Sequence, residues 1–280
     1  MINKNNEIAI VYMVAGLSSR FGGKIKQFAQ VGPKGEILIE ISIIQALKAG
    51  FNKIIFIVSS KTEFPFKEKF NSSFRNIPVL YALQSYDDKE RGRPWGTAEA
   101  LTSALPLINF PFVICNGDDL YGENSFKILY DHIKNLDNKD EVSLGYKLSD
   151  VLPKEGKTNR AIFQLDDKDF VKEIKEYLNI SKESLPSLGL SESSKCSMNI
   201  FALHPETAKK LLKRVEIFKT LHKGDRISEC LLPEELNNLI KNDEIKMHIY
   251  PATDKWIGIT NPGDEITVSN YLKAIPLNTS

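Results

Sequence analysis

Close to its start the chain has an apolar run that breaks into a loop of small residues, and this junction constrains its fold more than any other feature. Residues 8–14 read Ile-Ala-Ile-Val-Tyr-Met-Val, and residues 15–26 read Ala-Gly-Leu-Ser-Ser-Arg-Phe-Gly-Gly-Lys-Ile-Lys. A buried strand followed by glycines and serines lets backbone N–H groups approach phosphate oxygens, and Arg20, Lys24 and Lys26 supply compensating positive charge. The pattern predicts a strand and loop that bind a nucleoside triphosphate.

Two well-known phosphate-binding loops do not fit this segment. Five residues separate Gly16 from Gly22, whereas a Walker A loop has four, and Lys24 is followed by Ile25 instead of a hydroxyl-bearing residue. The dinucleotide fingerprint needs glycine at the third position of its first triplet, where Ser18 stands. The loop therefore argues against hydride chemistry.

Chain length limits the number of domains, and net charge limits the classes of partner that the protein can attract. A chain of 280 residues is long enough to bury roughly 75% of the surface that its unfolded form exposes, and we expect one continuous domain over 1–280. Within it, 1–140 is expected to form the nucleotide-binding core and 141–280 the substrate-binding and lid portion. The 37 Lys and Arg balance the 36 Asp and Glu, so we expect neither a nucleic-acid nor a membrane partner.

Cysteine usage and the first residues indicate the compartment. Cys115, Cys196 and Cys230 are widely spaced and match neither a disulfide framework nor a zinc site. The first seven residues are too polar for a signal peptide, and no apolar run approaches the roughly 18 residues of a membrane span. We therefore expect a cytoplasmic protein.

Short apolar segments alternate with helical patterns in the first half of the chain. This alternation is typical of a doubly wound, mostly parallel, Rossmann-like α/β sheet, and the second half predicts a smaller mixed α+β substrate lobe. Gly50 is expected to cap the first helix in the left-handed conformation, and the Ser-, Lys- and Glu-rich stretch 179–195 to act as a lid. The predicted strands are 8–14, 53–59, 77–83, 111–115, 141–147, 161–166, 196–203 and 245–250, and the predicted helices are 39–49, 205–221, 228–241 and 262–273.

Polar residues follow three of the predicted strands. The loop 15–26 follows the first strand, Gln84 the third, and Asn116-Gly117-Asp118-Asp119 the fourth. Since ligands of open parallel sheets bind beyond the carboxyl ends of the strands, we expect the three segments to meet at one crevice.

These motifs, taken in order, resemble those of the sugar-phosphate nucleotidylyltransferase superfamily, which includes glucose-1-phosphate uridylyl- and thymidylyltransferases. The resemblance implies a nucleotidyltransferase fold and Mg²⁺-dependent transfer of an NMP group, from UTP or dTTP by preference, to a sugar 1-phosphate with release of pyrophosphate. The expected partners are those two small molecules, and the pattern predicts no particular oligomeric state. The matching segments are Ala15–Arg20, Lys26-Gln27, Gln84, Pro94–Ala98, Gly117–Asp119 and Trp256-Ile257-Gly258.

The resemblance implies a role for each matching residue. Arg20 and Lys26 would hold the β- and γ-phosphates, and Asp118 would hold the metal ion. Gln84 would read a pyrimidine imide edge by donating and accepting at once, as an amide side chain allows. The backbone would lie along the nucleotide at Ala15, Gly16, Leu17 and Ser18, and close to the base at Gly96 and Thr97.

Simpler structural explanations compete with several of these roles. Arg20 is otherwise a solvated loop charge, and Lys24 competes with Lys26. Asp118 alternatively caps the helix that follows it, and Gln84 is alternatively a residue at the surface end of a strand. Thr97 is expected to begin a helix, where threonine serves as a cap.

The chain departs from the family pattern on the substrate side. Relatives commonly carry a second metal-binding aspartate in a Trp-x-Asp arrangement, where this chain has Gly258, and Asp254 is the expected substitute. Asp119, Glu176 and Asn199 are expected to bind substrate, although the usual Glu-Lys-Pro reads Glu-Tyr-Leu at 176–178.

These departures keep two other functions open. One is nucleotidyl transfer, for example of CMP, to a non-sugar phospho-alcohol such as phosphocholine or a polyol phosphate. The other is a regulatory protein that binds a nucleotide without turnover.

Overall fold

A mixed sheet of eleven strands forms the centre of the fold in the computed structural model, which describes residues 7–16, 22–23, 25–135, 139–153 and 155–274. Two further short strands pair with each other outside this sheet. The strands of the described residues are β1 (Ala9–Met13), β2 (Lys53–Val58), β3 (Ser73–Phe74), β4 (Ile77–Leu83), β5 (Phe112–Asn116), β6 (Asp119–Leu120), β7 (Glu141–Lys147), β8 (Thr158–Leu165), β9 (Val171–Ile180), β10 (Lys195–Cys196), β11 (Phe201–Leu203), β12 (Met247–Pro251) and β13 (Ile257–Gly258). The helices are α1 (Leu38–Ala49), α2 (Glu63–Phe70), α3 (Thr97–Ser103), α4 (Glu123–Ile133), α5 (Leu148–Val151), α6 (Pro205–Leu221), α7 (Leu232–Lys241) and α8 (Asp264–Ala274).

The sheet joins a parallel half to a mostly antiparallel half. Its order is β3-β4-β2-β1-β5-β11-β7-β10-β8-β9, with β12 on β7. Strands β4, β2, β1 and β5 are parallel to one another, and β11 runs antiparallel to both of its neighbours, β5 and β7. The predicted fold, a mostly parallel α/β core with a mixed second part, is confirmed.

Helices cover both faces of the parallel strands. Successive apolar residues of a strand point to opposite faces, and each face packs against a different set of helices. Ile10 and Tyr12 of β1 belong to the apolar cluster that contains residues of α1 and α4. Val11, between them, belongs to the opposite cluster, with residues of α3, α6 and α7. A strand buried on both faces reads as a continuous apolar run, which explains the apolar run close to the start of the chain.

Several predicted boundaries are confirmed. Strands β4 and β7 and helix α6 match the predicted 77–83, 141–147 and 205–221 residue for residue. Gly50 ends α1 with φ at 119°, as expected for its left-handed cap.

Other boundaries were wrong. The predicted strand 196–203 is two strands, β10 and β11, and between them Asn199 has φ at 55°, which a strand does not allow. Helix α7 begins at Leu232, not at 228, with Pro233 in its first turn. The lid prediction for 179–195 stays untested, and this stretch contains two short 3-10 helices, Lys182–Ser184 and Pro186–Leu188.

Within the residues that the structure describes, no helix has both the length and the apolar character that crossing a bilayer requires.

Candidate functional site

The loops after the four parallel strands all leave the sheet at the carboxyl ends of those strands, which form one edge of the sheet. Met13 of β1 lies in register with Ile57 of β2 and with Asn116 of β5, and the backbone N–H of Gln84 donates to the Val58 carbonyl over 2.8 Å. Gln84 follows β4 and Asp118 follows β5, so three strand spacings, roughly 14 Å, separate their positions along the edge. That span suits a ligand of nucleotide length.

Lys26 and Asp118 form an ion pair at this edge. The Lys26 ammonium contacts the Oδ2 of Asp118, and each side chain is 20% exposed. Lys26 begins a short 3-10 helix, Lys26–Phe28, and Asp118 lies just beyond β5, where its carbonyl accepts a hydrogen bond from the Ile259 N–H over 3.0 Å. Arg20, Leu17, Ser18 and Lys24 lie outside the described residues, while Ala15 and Gly16 directly follow β1.

A cavity of about 320 Å³ brings five of the predicted site residues together. Its lining includes Lys26, Asp118, Asp119, Glu176 and Asn199. Asn116 and Trp256, which belong to the motifs but had no assigned role, also line it, and sequence reasoning missed Arg160, Met198 and Thr260. The cavity thus joins the end of β5 to residues that come from the second half of the chain.

Asp119 is a buried carboxyl whose charge is disfavoured. It is 6% exposed, and its Oδ2 accepts a hydrogen bond from Asn116 Nδ2 over 2.9 Å. Burial, reinforced by the neighbouring charge of Asp118, raises its pKa to about 7, while the Asn116 hydrogen bond and the Lys26 ammonium act in the opposite direction. A cation bound beside the two carboxylates would favour the charged form of Asp119.

Gly258 faces Asp119 across a short antiparallel ribbon. Strand β13 pairs with β6, and Gly258 stands directly opposite Asp119. A Cβ atom at position 258 would overlap Asp119 Oδ1 and lie 2.9 Å from Cζ2 of Trp256. The carboxylate of Asp119 therefore occupies the space into which a side chain at 258 would project. The two neighbouring carboxylates, Asp118 and Asp119, offer the hard oxygen donors that Mg²⁺ prefers, and Mg²⁺ needs only one or two from protein.

Asp254 does not belong to this arrangement. Its Oδ2 accepts from the Ser125 N–H and its Oδ1 from Asn124 Nδ2, both over 2.9 Å, at the start of α4. It lines a separate cavity, of about 310 Å³, with Tyr146 and Lys147. The contacts support a capping role for Asp254 and not the metal role that we expected. They also argue against Asp118 as the cap of α4.

The Gln84 side chain is fixed by hydrogen bonds to the start of α3. The side chain is 6% exposed, and its Nε2 donates to Glu99 Oε2 over 2.7 Å and to the Gly96 carbonyl over 3.2 Å. Because both partners are acceptors, both amide hydrogens are committed and only the amide oxygen remains for a ligand. The expectation that Gln84 donates and accepts at a pyrimidine edge was therefore wrong in its donor half.

Gly96 and Thr97 pack against the start of α7. Gly96 has φ at 104°, and a Cβ there would lie 2.6 Å from the Cys230 carbonyl oxygen. Thr97 begins α3, as predicted, but its Oγ1 accepts from the N–H of Leu232 over 2.8 Å. Its hydroxyl therefore caps α7 instead of its own helix. Neither residue lines the cavity of Asp118, which fits their place beyond β4, at the other end of the edge.

One family model matches most of the first half of the chain. Residues 23–156 match the model of the nucleotidyl transferase family. This segment is therefore similar to nucleotidyl transferases. The resemblance drawn from the motifs is confirmed, and Lys26, Gln84, Gly96, Asp118 and Asp119 all lie within the matched residues. No curated protein matched the chain.

Solved nucleotidyltransferase structures share the fold over nearly the whole chain. One, described as a glucose-1-phosphate thymidylyltransferase of Bacillus anthracis, has a TM-score of 0.67 at 12% identity and covers 96% of this chain and 97% of its own. A UDP-glucose pyrophosphorylase scores 0.64 at 15% identity and covers 96% and 100%. The CTP:phosphocholine cytidylyltransferase of Streptococcus pneumoniae scores 0.63 at 16% identity and covers 95% and 99%. At these identities the likeness establishes the fold alone.

Arg160 lies beyond the segment that the family model matches, on β8. Its guanidinium donates to Thr158 Oγ1 over 2.8 Å and to the Val151 carbonyl over 3.0 Å, and its buried Nε has no hydrogen-bond partner within the described residues. Burial lowers its pKa. Arg160 pairs across the sheet with Tyr177, where the family motif has lysine. The absence of the motif lysine at position 177 is the sequence signal that indicates a cation on a neighbouring strand.

Glu176 contributes a weakly acidic group to the same cavity of the nucleotidyl transferase fold. Burial, then the charge of Glu234, raises its pKa to about 7, and Arg160 opposes the shift. A carboxyl group with this pKa is a strong hydrogen-bond acceptor for hydroxyl groups once it is charged. Asn199, at the turn between β10 and β11, adds an amide to the lining.

Proposed function

We propose that the protein is a magnesium-dependent nucleotidyltransferase that moves an NMP group from an NTP to a sugar 1-phosphate, giving an NDP-sugar and pyrophosphate. The observation that carries the proposal is the cavity in which the Lys26 and Asp118 pair meets Glu176 and Asn199. Groups suited to neutralising phosphate charge lie there beside groups suited to binding hydroxyls. The proposal joins the two halves of the chain in one reaction.

The chemistry needs charge neutralisation more than it needs a base. An oxygen of the acceptor phosphate attacks the α-phosphorus, the bond from that phosphorus to the bridging oxygen breaks, and the electron pair leaves with pyrophosphate. The attacking oxygen is already anionic, so no proton has to be removed. Lys26 and Arg20 would stabilise the charge that develops on the leaving pyrophosphate. Magnesium, held by Asp118, would supply Lewis acidity at the phosphates.

Arg160 and Glu176 are proposed to select the acceptor. Arg160 would pair with the acceptor phosphate, since an arginine fork matches phosphate oxygens, and its Nε has no protein partner. Glu176 and Asn199 would hydrogen-bond to the sugar hydroxyls. Gln84 would accept one hydrogen bond from the base, which both the imide N–H of uracil or thymine and the amino group of cytosine provide.

A phospho-alcohol acceptor is the second candidate, and one observation favours it. The Trp256 ring lines the same cavity as the Glu176 carboxyl, and an aromatic ring beside a carboxylate suits an alkylammonium group such as that of choline. The CTP:phosphocholine cytidylyltransferase of Streptococcus pneumoniae has the same fold.

A pyrophosphate-release screen tests both candidates. UTP, dTTP, CTP, ATP and GTP are each paired with sugar 1-phosphates, phosphocholine and a polyol phosphate, with and without Mg²⁺. We expect release only with Mg²⁺ and with one acceptor class. Asp118→Ala should slow the reaction by at least roughly a hundredfold, because a catalytic metal contributes several kcal/mol and about 1.4 kcal/mol is tenfold in rate.

A matched control uses another aspartate. Asp131→Ala removes an exposed carboxylate of α4 that pairs with Lys127 and Lys134, and it should leave the rate unchanged. Thermal stabilisation by a nucleotide, with no pyrophosphate released for any acceptor, would instead support a regulatory binding protein.

A further inference from the structure

The short ribbon of β6 and β13 places a carboxylate where the opposite residue has none. Asp119 and Gly258 are directly paired, and in an antiparallel ladder directly paired residues project their side chains on the same face. Asp119 Oδ1 lies where a Cβ of residue 258 would be. Asp119 therefore supplies a carboxylate, and Gly258, which has no side chain, leaves the space that this carboxylate occupies.

We infer that Asp119 supplies the second carboxylate of the metal site, in place of the side chain that position 258 lacks, and that Asp118 and Asp119 together hold the ion. The inference rests on the proposed function. It assigns to Asp119 a metal-binding role instead of the substrate-binding role that the sequence suggested. Gly258 then serves the site by leaving room for the Asp119 carboxylate.

The surroundings of Asp119 hold its carboxylate in this place. Asn116 Nδ2 donates to Oδ2 over 2.9 Å and the Tyr121 hydroxyl lies 3.3 Å from the same oxygen, whereas Oδ1 is the atom on the Gly258 side. Lys26, Asp118 and Asp119 line the same cavity, so a cation held between the two carboxylates would lie in it.

The other acidic groups near the cavity fit the role less well. Both oxygens of Asp254 are engaged at the start of α4. Glu176 interacts with Arg160, which lines the same cavity, and the proposed function already assigns Glu176 to the acceptor.

Manganese binding, followed by the electron paramagnetic resonance signal of free Mn²⁺, tests the inference without relying on turnover. The intact chain is titrated with MnCl₂ beside Asp119→Asn, which keeps the size of the side chain and removes its charge. We expect the Mn²⁺ affinity to fall by about tenfold or more, since even the loss of an outer-shell partner of a metal site has an effect of that size. Asp254→Asn should leave the Mn²⁺ affinity unchanged and lower only the melting temperature.

Two further variants address the geometry. Gly258→Ala places a methyl group against Asp119 Oδ1 and should weaken Mn²⁺ binding, whereas Gly92→Ala adds the same group 3.6 Å from its nearest neighbour, the Arg226 carbonyl oxygen, and should not. The double variant Asp119→Gly with Gly258→Asp moves the carboxylate to the other strand and should restore most of the Mn²⁺ affinity that Asp119→Asn loses.

The outcomes separate this inference from the proposed function. Unchanged Mn²⁺ affinity in Asp119→Asn, in a wild-type chain that binds Mn²⁺ and releases pyrophosphate, overturns the metal role of Asp119 and leaves the proposed reaction standing. A wild-type chain that binds no Mn²⁺ and releases pyrophosphate equally well without Mg²⁺ overturns the inference and the magnesium dependence together. A chain that binds Mn²⁺ through Asp119 but releases no pyrophosphate supports the inference and contradicts the proposed reaction.

Discussion

At the scale of single residues, this chain departs from the family motifs at two positions. In each case the residue paired with that position on the neighbouring strand carries a charge of the same sign as the one that the motif residue would carry. Gly258, in place of an acid, pairs with Asp119, and Tyr177, in place of a lysine, pairs with Arg160. Directly paired positions in an antiparallel ladder are separated by only about 5 Å between Cβ atoms. A functional group can therefore change strands and remain near the same ligand.

Arg160 gives the first prediction at this scale. Arg160→Gln should raise the KM of the phosphorylated acceptor by about tenfold or more, because a charge-assisted contact is worth roughly 1.5–3 kcal/mol. The KM of the nucleotide should change little. Steady-state kinetics with each substrate varied in turn measures both constants. Arg93→Gln is the control, since Arg93 is exposed and pairs with Glu229 away from the cavity. Equal changes in the two KM values would contradict a role at the acceptor phosphate.

Glu176 gives a prediction about pH. Its pKa is about 7 in the folded chain against 4.5 for the free side chain, so the folded state holds more protons than the unfolded state between these values. The free energy of unfolding therefore falls as the pH rises through this window. Glu176→Gln should remove that loss and be more stable than the wild type at pH 8, by about 1 kcal/mol after allowance for solvent screening, and nearly equal at pH 4.

A neighbouring glutamate provides the control for this pH dependence. Glu173, also on β9, pairs with Lys241 over 2.5 Å, and the pKa of Glu173 is lowered. Glu173→Gln should therefore lose stability above pH 5, which is the opposite sign. Urea melts from pH 4 to pH 8 measure both variants, and a Glu176→Gln curve parallel to that of the wild type would contradict the burial argument.

At the scale of elements, the sequence predicted the boundaries that depend on apolar spacing within a single segment. The boundaries of α6 and β4 follow from apolar spacing within each segment, and the sequence predicted both residue for residue. The break between β10 and β11 depends on the conformation of Asn199, which no apolar periodicity records. The partner of Asp254 is Ser125, 129 residues away, so only the folded chain assigns Asp254 to a helix cap.

The site was predictable to a similar degree. The cavity contains Lys26, Asp118 and Glu176, which the motifs singled out. The Gln84 amide group donates to Glu99 on α3, and this contact between separate elements is what occupies it. The position of Arg160 depends on the pairing of β8 with β9. Such contacts are set by tertiary packing and have no signature within a short segment of sequence.

Gly96 gives the prediction at the scale of elements. Gly96→Ala forces a side chain into a backbone conformation with φ at 104° and places its Cβ 2.6 Å from the Cys230 carbonyl oxygen. Strain and overlap together should lower the free energy of unfolding by about 3 kcal/mol. Gly189→Ala, with φ at 67° and open space around it, isolates the strain and should cost about 1 kcal/mol. Equal losses in chemical denaturation would show that the contact between α3 and the segment before α7 is unimportant.

At the scale of the whole molecule, one sheet unites the two halves of the chain. Strand β11 lies between β5 and β7, with Phe201 paired to Ile114 on one side and to Ser143 on the other. Helices α6 and α7 contribute buried residues such as Leu211 and Leu236 to the same cluster as Val11 of β1. The proposed nucleotide and acceptor portions therefore share a core.

This shared core leads to the prediction for the whole molecule. A fragment of residues 1–140 would expose the edge of β5 and the apolar face that α6 and α7 cover, and an uncovered apolar edge strand favours aggregation. We expect neither this fragment nor 141–280 to unfold cooperatively alone, whereas the two expressed together should assemble and melt in one transition. Circular dichroism melts and size-exclusion chromatography measure this. The intact chain is the control, and a cooperative melt of 1–140 as a monomer would show that the nucleotide-binding core is an independent folding unit.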